Sequence, residues 1–165
     1  MLKRKIPDSL VRIVHEELDA LVKRLDTPFE VCVSTRDGMT VADYPPGKIS
    51  LRLPVMAGTL QALGNSIATE CSLTSCHNVM LEGANSNMIL LSVPCLQESL
   101  VLMVIADRQT SLGMLLCFAR ECSEAICEKW KVLGEAPEPQ PVEETPLARI
   151  LRGLQGRASR TSLAE

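Results

Sequence analysis

Three short apolar runs between Asn78 and Ala106 limit what this chain can fold into: Val79–Leu81, Met88–Leu91 and Leu100–Ile105. Gly83-Ala84-Asn85-Ser86 separates the first two, and the stretch from Pro94 to Ser99 separates the last two. Runs of this length, bounded by turn-forming residues, predict strands and not one long helix. A parallel crossover needs a dozen residues or more, so such short connections make neighbouring strands antiparallel. Polar alternation along the runs is slight, which predicts a sheet covered on both faces.

The flanking segments supply that cover. Residues 8–25 predict an amphipathic helix, capped by Asp8 or Ser9, with Leu10, Val14, Leu18, Leu21 and Leu25 at helical spacing. Its Glu16, Glu17 and Asp19 read as a solvated face and not as paired catalytic carboxylates. Asp26-Thr27-Pro28 ends it. Glu30–Ser34 and Met39–Ala42 predict two strands, joined by Thr35-Arg36-Asp37-Gly38, where Asp-Gly favours a hairpin. Turn chemistry accounts for Arg36 and Asp37 without a catalytic role.

A second helix is expected from Leu53 to Cys71, with Pro54 in its first turn. Met56, Leu60, Leu63, Ile67 and Cys71 mark one stripe; Ala57, Gly58, Ala62, Gly64, Ser66 and Ala68 form an unusually small set. Gly64 inside a helix costs about 1 kcal/mol relative to alanine. Small residues admit another backbone at close range, either the chain's own sheet or a partner's helix, and the spacing is compatible with both. A third helix, capped by Thr110 or Ser111, is expected to run to about Lys131, with Leu112, Leu115, Leu116, Ala119, Cys122, Ala125, Ile126 and Trp130 on its apolar face. Gly134 and Pro137 stop it.

These segments make residues 8–133 one α+β domain. Residues 134–145 are acidic and proline-rich and read as an extended linker. Residues 146–157 then predict a short amphipathic helix in a flexible tail, with Leu147, Ile150, Leu151 and Leu154 in one stripe flanked by Arg149, Arg152, Arg157 and Arg160. So short a helix is marginal alone in water, and its stripe is expected to fold on docking into a groove.

Composition removes several function classes. A net charge of −3 and 2% aromatics (Phe29, Tyr44, Phe118 and Trp130) supply neither the basic face nor the stacking platforms of a nucleic-acid binder. No apolar segment follows the basic Met1–Lys5 to make a signal peptide, and Leu100–Ala106 falls far short of the roughly 20 residues a membrane helix needs. A cytoplasmic protein without a transmembrane segment is expected. Seven cysteines, an odd number in apolar segments, predict reduced thiols that mostly pack as small hydrophobes. Cys71, Cys76 and His77 match no common zinc spacing. There is no phosphate-binding glycine loop, no Gly-x-Ser-x-Gly and no triad that His15 or His77 would complete. No catalytic residue, cofactor or metal is therefore assigned, and the chain is not expected to be an enzyme.

Taken in order, helix, two strands, helix, three strands, helix, the chain resembles the Roadblock/dynein light chain family. Val33–Ala42 resembles that family's first hairpin, Val79–Gly83 and the two strands after it are similar to its sheet, and Leu112-Gly113-Met114-Leu115-Leu116 resembles the start of its last helix. The resemblance spans Leu10 to Leu133. It implies a five-stranded antiparallel sheet of profilin-like architecture, with the middle helix on one face and the terminal helices on the other. It further implies a homodimer in which third strands pair edge to edge and middle helices lie side by side. Leu60, Leu63, Gly64, Ile67, Val79 and Leu81 would make that contact. Family members bind small Ras-like GTPases or serve as scaffolds, and some bacterial members stimulate a polarity GTPase as dimers. Stimulation would act by reshaping the GTPase site; Arg36 and Arg120 are not assigned as arginine fingers. The alternative is a small-molecule or redox-sensing regulatory domain with a sulfur-rich interior and no GTPase partner.

Overall fold

Two hydrophobic layers, one on each side of a single sheet, hold the molecule together. The computed structural model describes residues 6–25, 29–73, 75–95 and 98–135. The elements run α1 (Asp8–Arg24), β1 (Phe29–Thr35), β2 (Thr40–Tyr44), α2 (Leu53–Glu70), β3 (Asn78–Glu82), β4 (Ser86–Cys95), β5 (Glu98–Asp107) and α3 (Leu112–Glu135). The chain divides into two compact units, Met1–Leu133 and Gly134–Glu165, and the first is described here.

The five strands form one antiparallel sheet in the order β2-β1-β5-β4-β3. The long central strand β5 pairs Leu100–Ala106 with β1 and its whole length with β4, and its alternate side chains enter opposite layers. Leu100, Leu102 and Val104 join Val31, Val33, Ile89 and Leu91 beneath α1 and α3, which bring in Leu10, Val14, Leu18, Leu115, Ala119 and Ile126. Val101 and Met103 point the other way, with Cys32 and Leu90, and meet Ala57 of α2. The central strands are thus covered on both faces, by α2 on one and by α1 and α3 on the other. This is the α+β fold that the order of apolar segments predicts.

Local chemistry departs from expectation at several boundaries. Neither Asp8 nor Ser9 caps α1. Pro7 is the cap residue, and its carbonyl accepts the N–H groups of Leu10 at 2.9 Å and Val11 at 3.1 Å, while Asp8 sits in the first turn where a negative charge is favoured. The β1–β2 hairpin connects its strands through four residues, Arg36 to Met39. Gly38 donates to the Thr35 carbonyl at 3.0 Å with φ +88°, Thr35 donates to Met39 at 2.9 Å, and the Thr35 hydroxyl also bonds Asp37. Helix α3 continues to Glu135, through Gly134, because one glycine costs a helix about 1 kcal/mol and does not stop it. Among the described cysteines Cys32 and Cys122 are buried, Cys127 packs half-buried against the core and Cys76 against α2, while Cys71 and Cys117 are exposed. Residues 136–165, with Leu147, Ile150, Leu151 and Leu154 of the expected tail helix, lie outside the described residues. Among the described residues no helix is long and apolar enough to cross a membrane.

Candidate interaction face

Helix α2 turns only part of its small set inward: Ala57, Gly58 and Ala68 are buried and Gly64 is half-buried, while Ala62 and Ser66 are exposed. A Cβ added to Gly58 would lie 2.2 Å from the Arg36 carbonyl oxygen. The hairpin backbone therefore rests directly on the helix, and only glycine permits it. Further along, a Cβ on Gly64 would lie 2.9 Å from Cys76 Sγ and 3.1 Å from a Val79 methyl carbon. Two polar side chains lock this approach. Gln61, fully buried, donates from Nε2 to the Cys76 carbonyl at 2.9 Å, and Asn65 Oδ1 accepts the Cys76 N–H at 3.2 Å. Together they fasten the segment entering β3 to α2. Sequence reasoning missed both, because a glutamine or asparagine in a helix reads as surface; the available signal was their place beside the small residues.

With its small side turned to the sheet, α2 presents large apolar residues outward. Met56 is 62% exposed, Leu63 54% and Ile67 53%. Beside them lies edge strand β3, whose Leu81 is 43% exposed on the same face, while Met80, 42% exposed, alternates to the other face of the sheet. Leu60 and Val79 are half-buried at the foot of this face. An open groove of about 360 Å³, lined by Leu53, Met56, Leu60, Leu63, Leu81 and Met88 among others, runs between helix and sheet. These side chains make a contiguous exposed apolar patch on one face of the molecule. Leu60, Leu63, Ile67, Val79 and Leu81 all lie along this face, and Gly64 lies between α2 and the chain's own Cys76–Val79.

Groups of chemical interest also lie away from this face. His77 is exposed, with Nε2 3.1 Å from Ser75 Oγ, and it lines one cleft with Arg120, Ser123 and Glu124. Arg36 contributes its backbone carbonyl to the α2 contact. Burial pushes the Cys32 thiol up to about 11, opposed by a hydrogen bond with Thr40 and assisted by Asp43; burial, then Glu17, pushes Cys122 up to about 12. Neither forms the thiolate a nucleophile needs near neutral pH. Among the described residues, no group of three or more His, Cys, Asp or Glu side chains is placed to hold a metal ion.

No protein-family model and no curated protein matches the chain. Solved structures do. MglB of Myxococcus xanthus superposes with a TM-score of 0.66 at 18% identity, covering 78% of this chain and 96% of that one. The gliding protein MglB of Thermus thermophilus gives 0.64 at 14% identity, covering 77% and 95%. A Roadblock/LC7 domain of Streptomyces avermitilis gives 0.58 at 16% identity, covering 70% and 92%. The chain is a Roadblock-type domain in fold. In this Roadblock-type fold β3 is an open edge, and α2 is the helix that flanks it on one face of the sheet.

Proposed function

We propose that this chain is a non-catalytic, homodimeric interaction module of the cytoplasm that regulates or scaffolds a small Ras-like GTPase. The observation that carries the reading is the exposed apolar face of α2 beside the open edge of β3. Leu63 and Ile67 extend from the helix, Leu81 from the strand, and the groove between them lacks a filler from the described residues. A second copy turned through a two-fold axis presents the same surface to it. In the proposed dimer Leu60, Leu63, Gly64, Ile67, Val79 and Leu81 are buried. The GTPase partner follows from the Roadblock resemblance and from the likeness in fold to the gliding protein MglB.

Residues 8–133 are the proposed module, and the tail, through Leu147, Ile150, Leu151 and Leu154, is proposed to dock on a partner or on the domain. Co-purification of the tagged protein from its own cytoplasm, with and without residues 135–165, tests the partner. A small GTPase recovered with both forms supports the folded domain as its binding surface, and recovery with the full chain alone moves that role to the tail. If a stoichiometric small molecule accompanies both forms and no GTPase does, the GTPase reading fails. Light scattering at micromolar concentration tests the homodimer, and a monomer there overturns that part.

A further inference from the structure

On the side of the sheet away from α2, a cleft opens where β3 stops covering β4. Strand β3 starts with Asn78 opposite Leu91, whereas β4 runs on to Cys95 with β5 beside it. The last tie across is the Ser92 N–H, which donates to the His77 carbonyl at 3.3 Å. Backbone groups along such a strand alternate between its two sides, so Pro94 turns outward the same side as Ser92, and a proline has no N–H to offer there. The uncovered end of β4 is thereby guarded against a further strand. Helix α3 borders this step in the sheet. The cleft between them, about 360 Å³, has Leu91 and Pro94 as its apolar wall and Arg120, Ser123 and Glu124 on the helix side, with His77 at its edge.

The polar side of this cleft is short of partners. Arg120, Ser123 and Glu124 stand at i, i+3 and i+4 and so share one side of α3. Ser123 is only 6% exposed, yet its hydroxyl makes no hydrogen bond among the described residues, although buried hydroxyls are normally bonded. Arg120 and Glu124 are exposed and four residues apart, but they form no ion pair with each other or with any other described residue. His77 Nε2 is already engaged by Ser75 Oγ. A simple anion would gain Arg120 and meet the Glu124 carboxylate; a simple cation would meet the reverse. A small molecule that carries both charges satisfies both. We propose that this cleft binds a free α-amino acid with an apolar side chain. Its carboxylate lies on the Arg120 guanidinium, whose paired donors match that group, and on the Ser123 hydroxyl. Its ammonium lies on Glu124, and its side chain rests against Leu91 and Pro94. The cleft is near the lower end of the roughly 300–1,000 Å³ typical of small-molecule sites, and the guarded end of β4 disfavours an extended peptide in its place. Leu91 belongs to the layer beneath α1 and α3, so the site is separate from the α2 face and the inference does not depend on the homodimer or the GTPase.

Titration calorimetry of the full-length chain with glycine, L-alanine, L-valine, L-leucine and L-methionine tests the site. At least one of the four with an apolar side chain is expected to bind with a dissociation constant below about 1 mM. The N-acetyl derivative of that amino acid, which lacks the ammonium, and its primary amide, which lacks the carboxylate, should each bind about tenfold more weakly or worse. Arg120→Gln and Glu124→Gln should each weaken the free amino acid by a similar factor, and Ser123→Ala by a few fold. Arg120 and Glu124 are exposed, so both variants should keep the native circular dichroism spectrum. Failure of all five amino acids to bind at about 10 mM overturns the proposal. Binding that is undiminished in both Arg120→Gln and Glu124→Gln places the ligand elsewhere and overturns it as well. An N-acetyl derivative that binds as tightly as the free amino acid, together with an unaffected Glu124→Gln chain, shows an anion site and overturns the zwitterion.

Discussion

The sheet ends in two five-residue strands that treat their open sides in opposite ways. Strand β2 is guarded. Its pairing with β1 slips between Val33 and Ser34, and it runs directly into Tyr44-Pro45-Pro46. The Asp43 carboxylate accepts the Gly47 N–H at 2.7 Å, and Ala42 is buried in the α1–α3 layer. A bulge, prolines and a folded-back connection are devices that prevent strand addition. Strand β3 has an unbroken register and an apolar neighbour in α2. One guarded edge and one open edge permit association in pairs and forbid an endless sheet, whereas two open edges would invite fibres.

The largest effect expected from breaking this contrast is at Leu63. Leu63→Arg places a charge on the outward face of α2, where the proposed dimer buries it without a partner, at a cost of about 3 kcal/mol or more. The dimer dissociation constant should rise more than a hundredfold, with light scattering reporting a monomer and circular dichroism unchanged, since Leu63 is half exposed within the chain. A monodisperse dimer of this variant would remove α2 from the interface. On the guarded side the equivalent test is Gly58→Ala. The added methyl meets the Arg36 carbonyl at 2.2 Å, a backbone atom that must move with the whole hairpin. Overpacking of this kind costs about 1–3 kcal/mol, so thermal unfolding should drop by several degrees, and an unchanged melting temperature would show that the hairpin adapts freely.

The difference between the edges was only half legible in the sequence. The apolar runs from Val79 to Ile105 announced antiparallel strands because their length and punctuation admit nothing else, and the order of elements carried the Roadblock resemblance. The two stripes of α2 were visible as well, but periodicity does not say which one faces the sheet. That depends on where Arg36 and Cys76 approach the helix, and both are distant partners fixed by the tertiary fold. Gln61 and Asn65 were silent for the same reason, since their role exists only when Cys76 comes alongside. Ends of helices were the least legible. Asp8 and Ser9 are both good caps in principle, yet the preceding Pro7 supplies the first carbonyl.

A third, intermediate effect concerns pH beneath the guarded edge. Cys32 lies in β1 opposite Asp43 of β2, and its thiol is raised from 9.0 to about 11, chiefly by burial. The unfolded chain therefore loses this proton first. Stability is full below pH 9 and falls as pH rises toward 11, by up to about 1.4 kcal/mol per unit for one such thiol. Cys122 adds a decline of the same sign up to about 12. Denaturant midpoints measured from pH 8 upward should fall along this window, and Cys32→Ala should flatten the first part of the slope. An identical slope in that variant would show that Cys32 does not titrate with unfolding.

The smallest effect is expected from the charges that border each edge. Glu82 ends β3 and reaches Arg108 at 3.6 Å, while Glu30 of β1 meets Lys48 at 3.0 Å near the end of β2. Exposed pairs of this kind contribute about 0–1 kcal/mol and are weakened by salt. Glu30→Gln should therefore shift unfolding by less than about 0.5 kcal/mol and leave the dimer untouched. Glu82→Gln should be as mild for unfolding, yet it also changes a carboxylate at the open edge of β3, beside the proposed dimer contact. Its dimer dissociation constant should move by a few fold, and the change should shrink as salt is raised, because the influence of a carboxylate at a wet rim is partly electrostatic. Equal, salt-independent behaviour of the two variants in sedimentation would mean that Glu82 faces solvent in the dimer, and that the two edges differ in backbone and apolar contact alone.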